Sequence, residues 1–206
     1  MQLRSDSFDN DAPIPARFAF GKPGDPVALS DNLNPHLAWN DAPEGTRSFV
    51  LMCVDGDAPS TPDDVNQPGR EVPADLPRVE FVHWLMVDIP RECGELGAGS
   101  CSDSAVAHGK REPFGPPGAR QGRNDFTGWF AGDADMRGDY LGYDGPCPPW
   151  NDAIVHRYDF HIFALDIARL GVDDQFTLAD VRREMDSHVL AQAQYSGTYT
   201  LNPRLG

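Results

Sequence analysis

Nineteen prolines and twenty glycines are spread through the 206 residues, and this dispersion limits the fold more than any other feature of the chain. Proline removes a backbone donor and clashes with the preceding helical turn, while glycine weakens helix and strand interiors alike. Breakers scattered so widely argue against a helical bundle and for many short elements joined by shaped loops. There is no internal repeat and no low-complexity tract.

Between the breakers, three stretches read as strands. Residues 48–54 form an almost continuous apolar run. Residues 79–89 place Val79, Phe81, Leu85, Val87 and Ile89 on one parity, a row that His83 interrupts. Residues 158–165 put Asp159 and His161 on one face and Phe160 and Ile162 on the other. Weaker strands are expected at 17–20, 37–39 and 194–201. One helix is expected, with Thr177 as cap, Asp180 three residues later, and Leu178, Val181, Met185 and Val189 at helical spacing. It should run to about residue 192 and pack on a sheet. Two long polar stretches, 61–77 and 92–138, read as loops, and loops of that length are usually functional or mobile. Strands in the middle and helical material near the C-terminus predict a mainly β, antiparallel fold with a few peripheral helices. Length and composition (40% hydrophobic, 24% charged) predict one domain over 1–206.

Net charge is −15. That acidity argues against a nucleic-acid partner and against docking on an anionic membrane through a basic patch. No apolar stretch approaches the roughly 20 residues of a membrane span. The first residues lack the basic-then-apolar pattern of a signal peptide, so a cytoplasmic protein is expected. Cys53, Cys93, Cys101 and Cys147 show no zinc-ligand spacing. Cys53 reads as a small core residue, and Cys93 and Cys101 are close enough in sequence to pair if the protein were secreted.

Three polar clusters stand in otherwise apolar surroundings. Asp55 and Asp57 end the first strand. Either is an ordinary turn residue, but one carboxylate can enter a pocket while the other braces the loop. His83 lies on the apolar parity of its strand, and a buried imidazole needs a hydrogen-bond partner, which the Asp55 loop would supply. Gly145-Pro-Cys-Pro-Pro149 is a rigid loop suited to forming a wall. His156 and Tyr158 project to one face, where they can donate to a phosphate oxygen. Arg157 projects to the other, where a salt bridge can hold the strand end. His161 reads as a sheet-face residue. No nucleophile elbow, zinc-protease helix or phosphate-binding loop is present. Zinc held by Asp55, His83 and His156, or a thiol or acid/base site that includes Cys147, are the competing chemical readings.

In order and spacing these clusters resemble the phosphatidylethanolamine-binding protein family, in particular its bacterial Raf-kinase-inhibitor-like branch. The matching pieces are Asp55-Gly-Asp-Ala-Pro59, His83-Trp84, Gly145-Pro-Cys-Pro-Pro149 and Val155-His-Arg-Tyr158. Gly122-Arg-Asn-Asp-Phe126 and Leu190-Ala-Gln-Ala followed by Gly-Thr-Tyr199 match the bacterial branch. Gly56 stands where the family has proline, Val155 where it has a small residue, and the 61–77 loop is longer. The resemblance implies an antiparallel β-sandwich with its core at about 16–203, a cis Ala58–Pro59 bond, and a small-anion or phospholipid head-group pocket at Asp55, Asp57, His83, Gly145, Pro146, His156 and Tyr158. It implies binding without turnover: no catalytic residue, no metal and no cofactor. Inhibition of a protease or kinase by surface docking is the alternative. A homodimer through Phe114, Phe126, Trp129 and Phe130 is one expectation; the other is that these aromatics fold back over the pocket or core.

Overall fold

A computed structural model describes residues 1–206. In chain order its strands are β1 (Gln2–Arg4), β2 (Ala12–Pro13), β3 (Gly21–Lys22), β4 (Ala28–Leu29), β5 (Leu37–Asn40), β6 (Ser48–Pro59), β7 (Arg78–Pro90), β8 (Glu95–Leu96), β9 (Arg120–Gln121), β10 (His156–Leu165) and β11 (Val189–Tyr199). The helices are α1 (Phe126–Trp129) and α2 (Leu178–Met185). The three strong apolar runs become β6, β7 and β10, the centre of a six-stranded sheet ordered β2-β11-β10-β6-β7-β9. A second sheet, β1-β5-β8, lies across one face.

Between the two sheets, Leu3, Leu37, Trp39 and Leu96 pack with Phe49, Leu51, Trp84, Met86, Phe160 and Ile162. Leu3, Phe8 and Ile14 belong to this core. On the other face, Val50, Met52, Val54, Leu85, Val87 and Phe163 pack against Leu178, Val181 and Met185 of α2. Both faces of the central strands are covered, which is why 48–54 reads as a continuous apolar run rather than an alternating one.

Two elements differ from the sequence expectation. Residues 16–18 form a 3₁₀ turn rather than a strand. The α2 helix begins as expected, with Thr177 and Asp180 closing a reciprocal capping box, but it ends at Met185 instead of near residue 192. A 3₁₀ turn at Asp186–His188 follows. Residues from Val189 onward then pair antiparallel with β10, Ala191 opposite Ala164 and Ala193 opposite Ile162. Strand pairing overrides a helical spacing that rested on Val189 alone beyond Met185.

The β6–β7 ladder is irregular in three places. Pairing steps from Phe49↔Ile89 to Leu51↔Met86, from Cys53↔Trp84 to Val54↔Val82, and from Asp55↔Phe81 to Ala58↔Val79. The first two steps leave an extra residue on β7, the third an extra residue on β6. A bulge inserts a residue, bends the strand and resets which face each side chain takes. The row of odd positions read from the sequence is therefore broken. Leu85 and Val87 face α2, Trp84 and Met86 face the other sheet, and the bulge at His83 puts that imidazole on the Trp84 side, beside Phe81.

The Ala58–Pro59 bond is trans, a correction, since the chain's one cis bond is Asp25–Pro26. The strand stays extended through the site, with Ala58 opposite Val79 and Pro59 opposite Arg78. The bulge at 56–57, rather than a cis bond, changes the strand's direction here.

Both long loops are tied down. Asn151 donates from Nδ2 to the Asp64 carbonyl (2.8 Å) and the Arg70 carbonyl (3.1 Å) and accepts at Oδ1 from the Asn66 N–H (2.9 Å), which fixes the 61–77 segment. In the 92–138 segment, Asp125 and Val82 exchange two hydrogen bonds: the Val82 N–H donates to the Asp125 carboxylate (2.7 Å), and the Asp125 N–H donates to the Val82 carbonyl. Phe126 turns inward, stacked on Phe20 at 4.6 Å and on Phe130 at 5.6 Å, while Phe114 and Trp129 stay exposed. All four cysteines are free thiols. No helix is long and apolar enough to cross a membrane.

Candidate functional site

A cavity of about 320 Å³ opens where β6, β7 and β10 leave the sandwich. Asp55 on β6, His83 on β7, and His156 and Tyr158 on β10 all line it, although Asp55 and Tyr158 are 103 residues apart in sequence. The sheet order explains the convergence: β6 lies between β10 and β7, and Asp55 stands directly opposite Tyr158 on one side and Phe81 on the other. The His83 ring meets the Tyr158 ring edge-on at 5.1 Å. Cys147, Pro148 and Pro149 form another part of the wall, and Ala58, Val65, Val79, Phe81, Phe126 and Trp129 make the rest largely apolar.

Three expected site residues do not line the cavity. The Asp57 carboxylate accepts the Arg157 backbone N–H (2.9 Å), and its own N–H donates to Asp55 Oδ1 (2.7 Å), so it braces the loop that presents Asp55. Gly145 lies against the 16–18 turn, where an added Cβ would come within 2.1 Å of the Phe18 carbonyl oxygen, and its N–H donates to Asn32 Oδ1 (2.8 Å). The Pro146 carbonyl accepts from the Phe20 and Gly21 N–H groups. These residues anchor the loop; the next three form the wall. Arg157 does hold the strand end, through ion pairs to Asp11 (2.6 Å) and Asp159 (2.9 Å).

The two histidines have unlike partners. His83 donates from Nδ1 to the Asp144 carbonyl (2.7 Å), not to the Asp55 loop as its sequence position suggested. Because a carbonyl only accepts, the proton sits on Nδ1. Burial lowers the His83 pKa, outweighing the opposite pull of Asp55. Its ring is therefore neutral near pH 7, with the Nε2 lone pair left for the cavity. Asp144 is itself buried and held by Lys110 Nζ (2.6 Å), Asn32 Nδ2 (2.8 Å) and Asn124 Nδ2 (2.8 Å).

His156 is clasped on both sides. Its Nδ1 donates to Asp55 Oδ2 (2.7 Å) and its Nε2 to Asp152 Oδ2 (3.1 Å). Two carboxylates on two ring nitrogens require both protons. Burial opposes that charge, but the hydrogen bonds from Asp152 and Asp55 outweigh it and raise the pKa to about 9. Arg78 completes the cluster with two bonds to Asp152, at 2.6 and 3.0 Å. Burial of Asp152 works against ionisation, yet His156 and Arg78 hold its carboxyl below the ordinary range. Both His156 nitrogens are thus occupied, which corrects the expectation that this ring donates to a ligand.

The Tyr158 hydroxyl is buried and makes no hydrogen bond. Trp39, Arg78 and Arg123 also leave one buried side-chain nitrogen unpartnered, but of these four residues only Tyr158 lines the cavity, and its hydroxyl lies beneath the accessible surface. A buried polar atom without a partner costs about 1–3 kcal/mol, a cost that a bound ligand would relieve. Burial pushes the Cys147 thiol up to about 12, so it stays protonated. No group of three His, Cys, Asp or Glu side chains is arranged to hold a metal ion.

Sequence reading missed Asp144, Asn124, Lys110, Asp152 and Arg78. Asp152 carried a readable signal, since it stands four residues before His156 in a polar Asn-Asp step. Asn124 lay inside the motif at 122–126. Nothing local marked Lys110 or Arg78.

Two stacked, mainly antiparallel sheets with a cavity at the end of the central strands define a mainly β sandwich protein. The chain belongs to the phosphatidylethanolamine-binding protein family, whose model matches residues 4–200. It is 32% identical to a UPF0098 protein of Aquifex aeolicus, over 97% of this chain and 88% of that one. It is 31% identical to the UPF0098 protein YbhB of Escherichia coli, over 97% and 100%. Among solved structures, E. coli YbcL, described as a member of the mammalian family, matches with a TM-score of 0.69 and 27% identity, over 97% of each chain.

Proposed function

We propose that this chain is a non-catalytic binding protein for a small anion or a phosphorylated head group held in the cavity of β6, β7 and β10. The observation that carries the proposal is the gathering of Asp55, His83, His156 and Tyr158, from three strands, at one cavity, with the Tyr158 hydroxyl left unpartnered beneath its wall. That hydroxyl is a desolvated donor with no partner in the protein. The volume, about 320 Å³, sits at the small end of ligand cavities. That is more room than an inorganic ion fills, and the apolar wall of Phe81, Phe126, Trp129 and Val79 suits the organic part of an ester. The family's name supports the phosphoryl assignment. Turnover is disfavoured by the protonated Cys147 thiol and by a His156 ring with neither nitrogen free to move a proton. A net charge of −15 disfavours polyanionic partners such as nucleic acid or an anionic membrane surface.

Native mass spectrometry and calorimetry on protein purified without phosphate test this reading, with inorganic phosphate and glycerol phosphate as probes. One-to-one adducts with both are expected, tighter for the ester. Absence of any adduct and any heat with either probe would sink it.

A further inference from the structure

The first part of β11 is an open sheet edge. β2 pairs with β11 only at Gly197 and Thr198. At Ser196 the N–H donates to the Asn10 side chain (2.9 Å) and the carbonyl accepts from the Asp11 N–H (2.8 Å). Ser196 and Thr198 thus turn their peptide groups away from β10, and strand alternation turns those of Gln192 and Gln194 the same way. No segment of the chain hydrogen-bonds to these two. A bulge at Leu190, the extra residue between Ala164↔Ala191 and Leu165↔Val189, bounds the open stretch at one end, and β2 bounds it at the other. Native edges are commonly blunted by lysine, proline or a bulge. The stretch between, Ala191-Gln-Ala-Gln-Tyr195, holds no charge, proline or glycine in a chain that is 24% charged.

On the α2 side a recess of about 300 Å³ borders this edge, lined by Gln192, Gln194, Met52, His161, Phe163 and Arg182. Arg182 is already held by Glu80 through two bonds, at 2.6 and 2.7 Å, so the recess suits an apolar side chain. Acids flank the open stretch. Asp9 is exposed at the Tyr195 end, next to the Asn10 that bonds Ser196. Glu44 is exposed at the other, beside Gly45, where an added Cβ would lie 3.9 Å from Leu190 Cδ1. A second copy paired edge to edge would set acid against acid, with −15 on each chain, so charge selects a basic partner. We propose that the β11 edge is a second interaction site, separate from the cavity, which takes an extended lysine- or arginine-bearing segment of another protein as an added strand. Gln192 and Gln194 supply the backbone bonds, and the recess receives one apolar side chain.

Two peptides test this on the whole chain, Lys-Lys-Val-Thr-Val-Thr-Lys and its counterpart with Glu in place of Lys. Amide hydrogen exchange followed by NMR should slow by about 10-fold or more at Gln192 and Gln194 when the lysine peptide is added. Calorimetry should show that peptide binding at least ~10-fold more tightly than the glutamate peptide. The Gln192→Pro variant removes one outward N–H at an edge, where proline is tolerated, and should weaken the lysine peptide by about 10-fold. The exchange measurement on the wild type decides by itself if that variant does not fold. No binding of the lysine peptide, binding without protection of those two amides, or equal binding of both peptides would overturn the proposal. So would a doubled mass by light scattering without peptide that Gln192→Pro returns to the monomer, since the edge would then belong to a second copy.

Discussion

His83 and His156 lie on strands either side of β6, line one cavity, and are 2% and 1% exposed. Burial lowers the pKa of the first and fails to lower that of the second. The difference lies in what meets each ring: a neutral carbonyl at one nitrogen of His83, a carboxylate at both nitrogens of His156. Depth alone does not set the charge of a buried imidazole; the number of carboxylates within hydrogen-bond reach does. The consequence is a division of labour. His156 is a fixed cation that holds Asp55 and Asp152 apart and oriented, and His83 is the ring left open to a ligand.

The comparison breaks most visibly on deletion. The His156→Ala variant leaves Asp55 and Asp152 facing each other without their shared cation and should lose about 3–5 kcal/mol of stability. His83→Gln gives up one hydrogen bond to a carbonyl and should lose about 1 kcal/mol. Denaturant unfolding of the two variants measures both, and equal losses would refute the division.

Titration sharpens it. His156 has a folded pKa of about 9, above the ordinary 6.5 of the unfolded chain. Its stabilisation is present in full below pH 6.5 and is lost as pH rises through 9, on the order of 3 kcal/mol in all. His83 is shifted the other way, so its contribution is lost as pH falls below 6.5. Unfolding midpoints from pH 5 to 10 should therefore decline on both sides, with the alkaline decline absent from His156→Gln. An alkaline decline that persists in that variant would assign it to another group.

The smallest effect is the most specific to binding. Tyr158→Phe removes a hydroxyl that has no partner in the protein. Stability should hold or rise slightly, while phosphate affinity falls by about 5- to 10-fold, the equivalent of roughly 1 kcal/mol. A loss of stability without loss of affinity would mean that the hydroxyl has an internal partner in solution.

Much of this was readable from the chain. The three central strands and the capping box of α2 follow from apolar runs and a Thr-x-x-Asp step, while the gathering of Asp55, His83, His156 and Tyr158 in one place is what the family resemblance implies. What could not be read was the geometry between strands. The His83 bulge is invisible in a sequence, because a simple count of alternate residues puts that ring on the same face as Leu85. Which acid takes which histidine was equally hidden: Asp55 looked like the partner of His83, and the sheet order gave it to His156. The end of α2 was lost because Val189 fits both a helical stripe and a strand, and only the presence of β10 decides between them.

The three irregular steps along β6 and β7 have a consequence for how the chain finds its structure. A regular hairpin of this length could slide by two residues and still present its apolar face, and alternate pairings of that kind are a route to misassembly. Here a slide would have to relocate two insertions on β7 and one on β6 together, stranding all three against a partner with no gap to receive them. The defects act as a key cut at three depths: the pair zips in one alignment, and that alignment is the one that brings Asp55 and His83 to the same cavity.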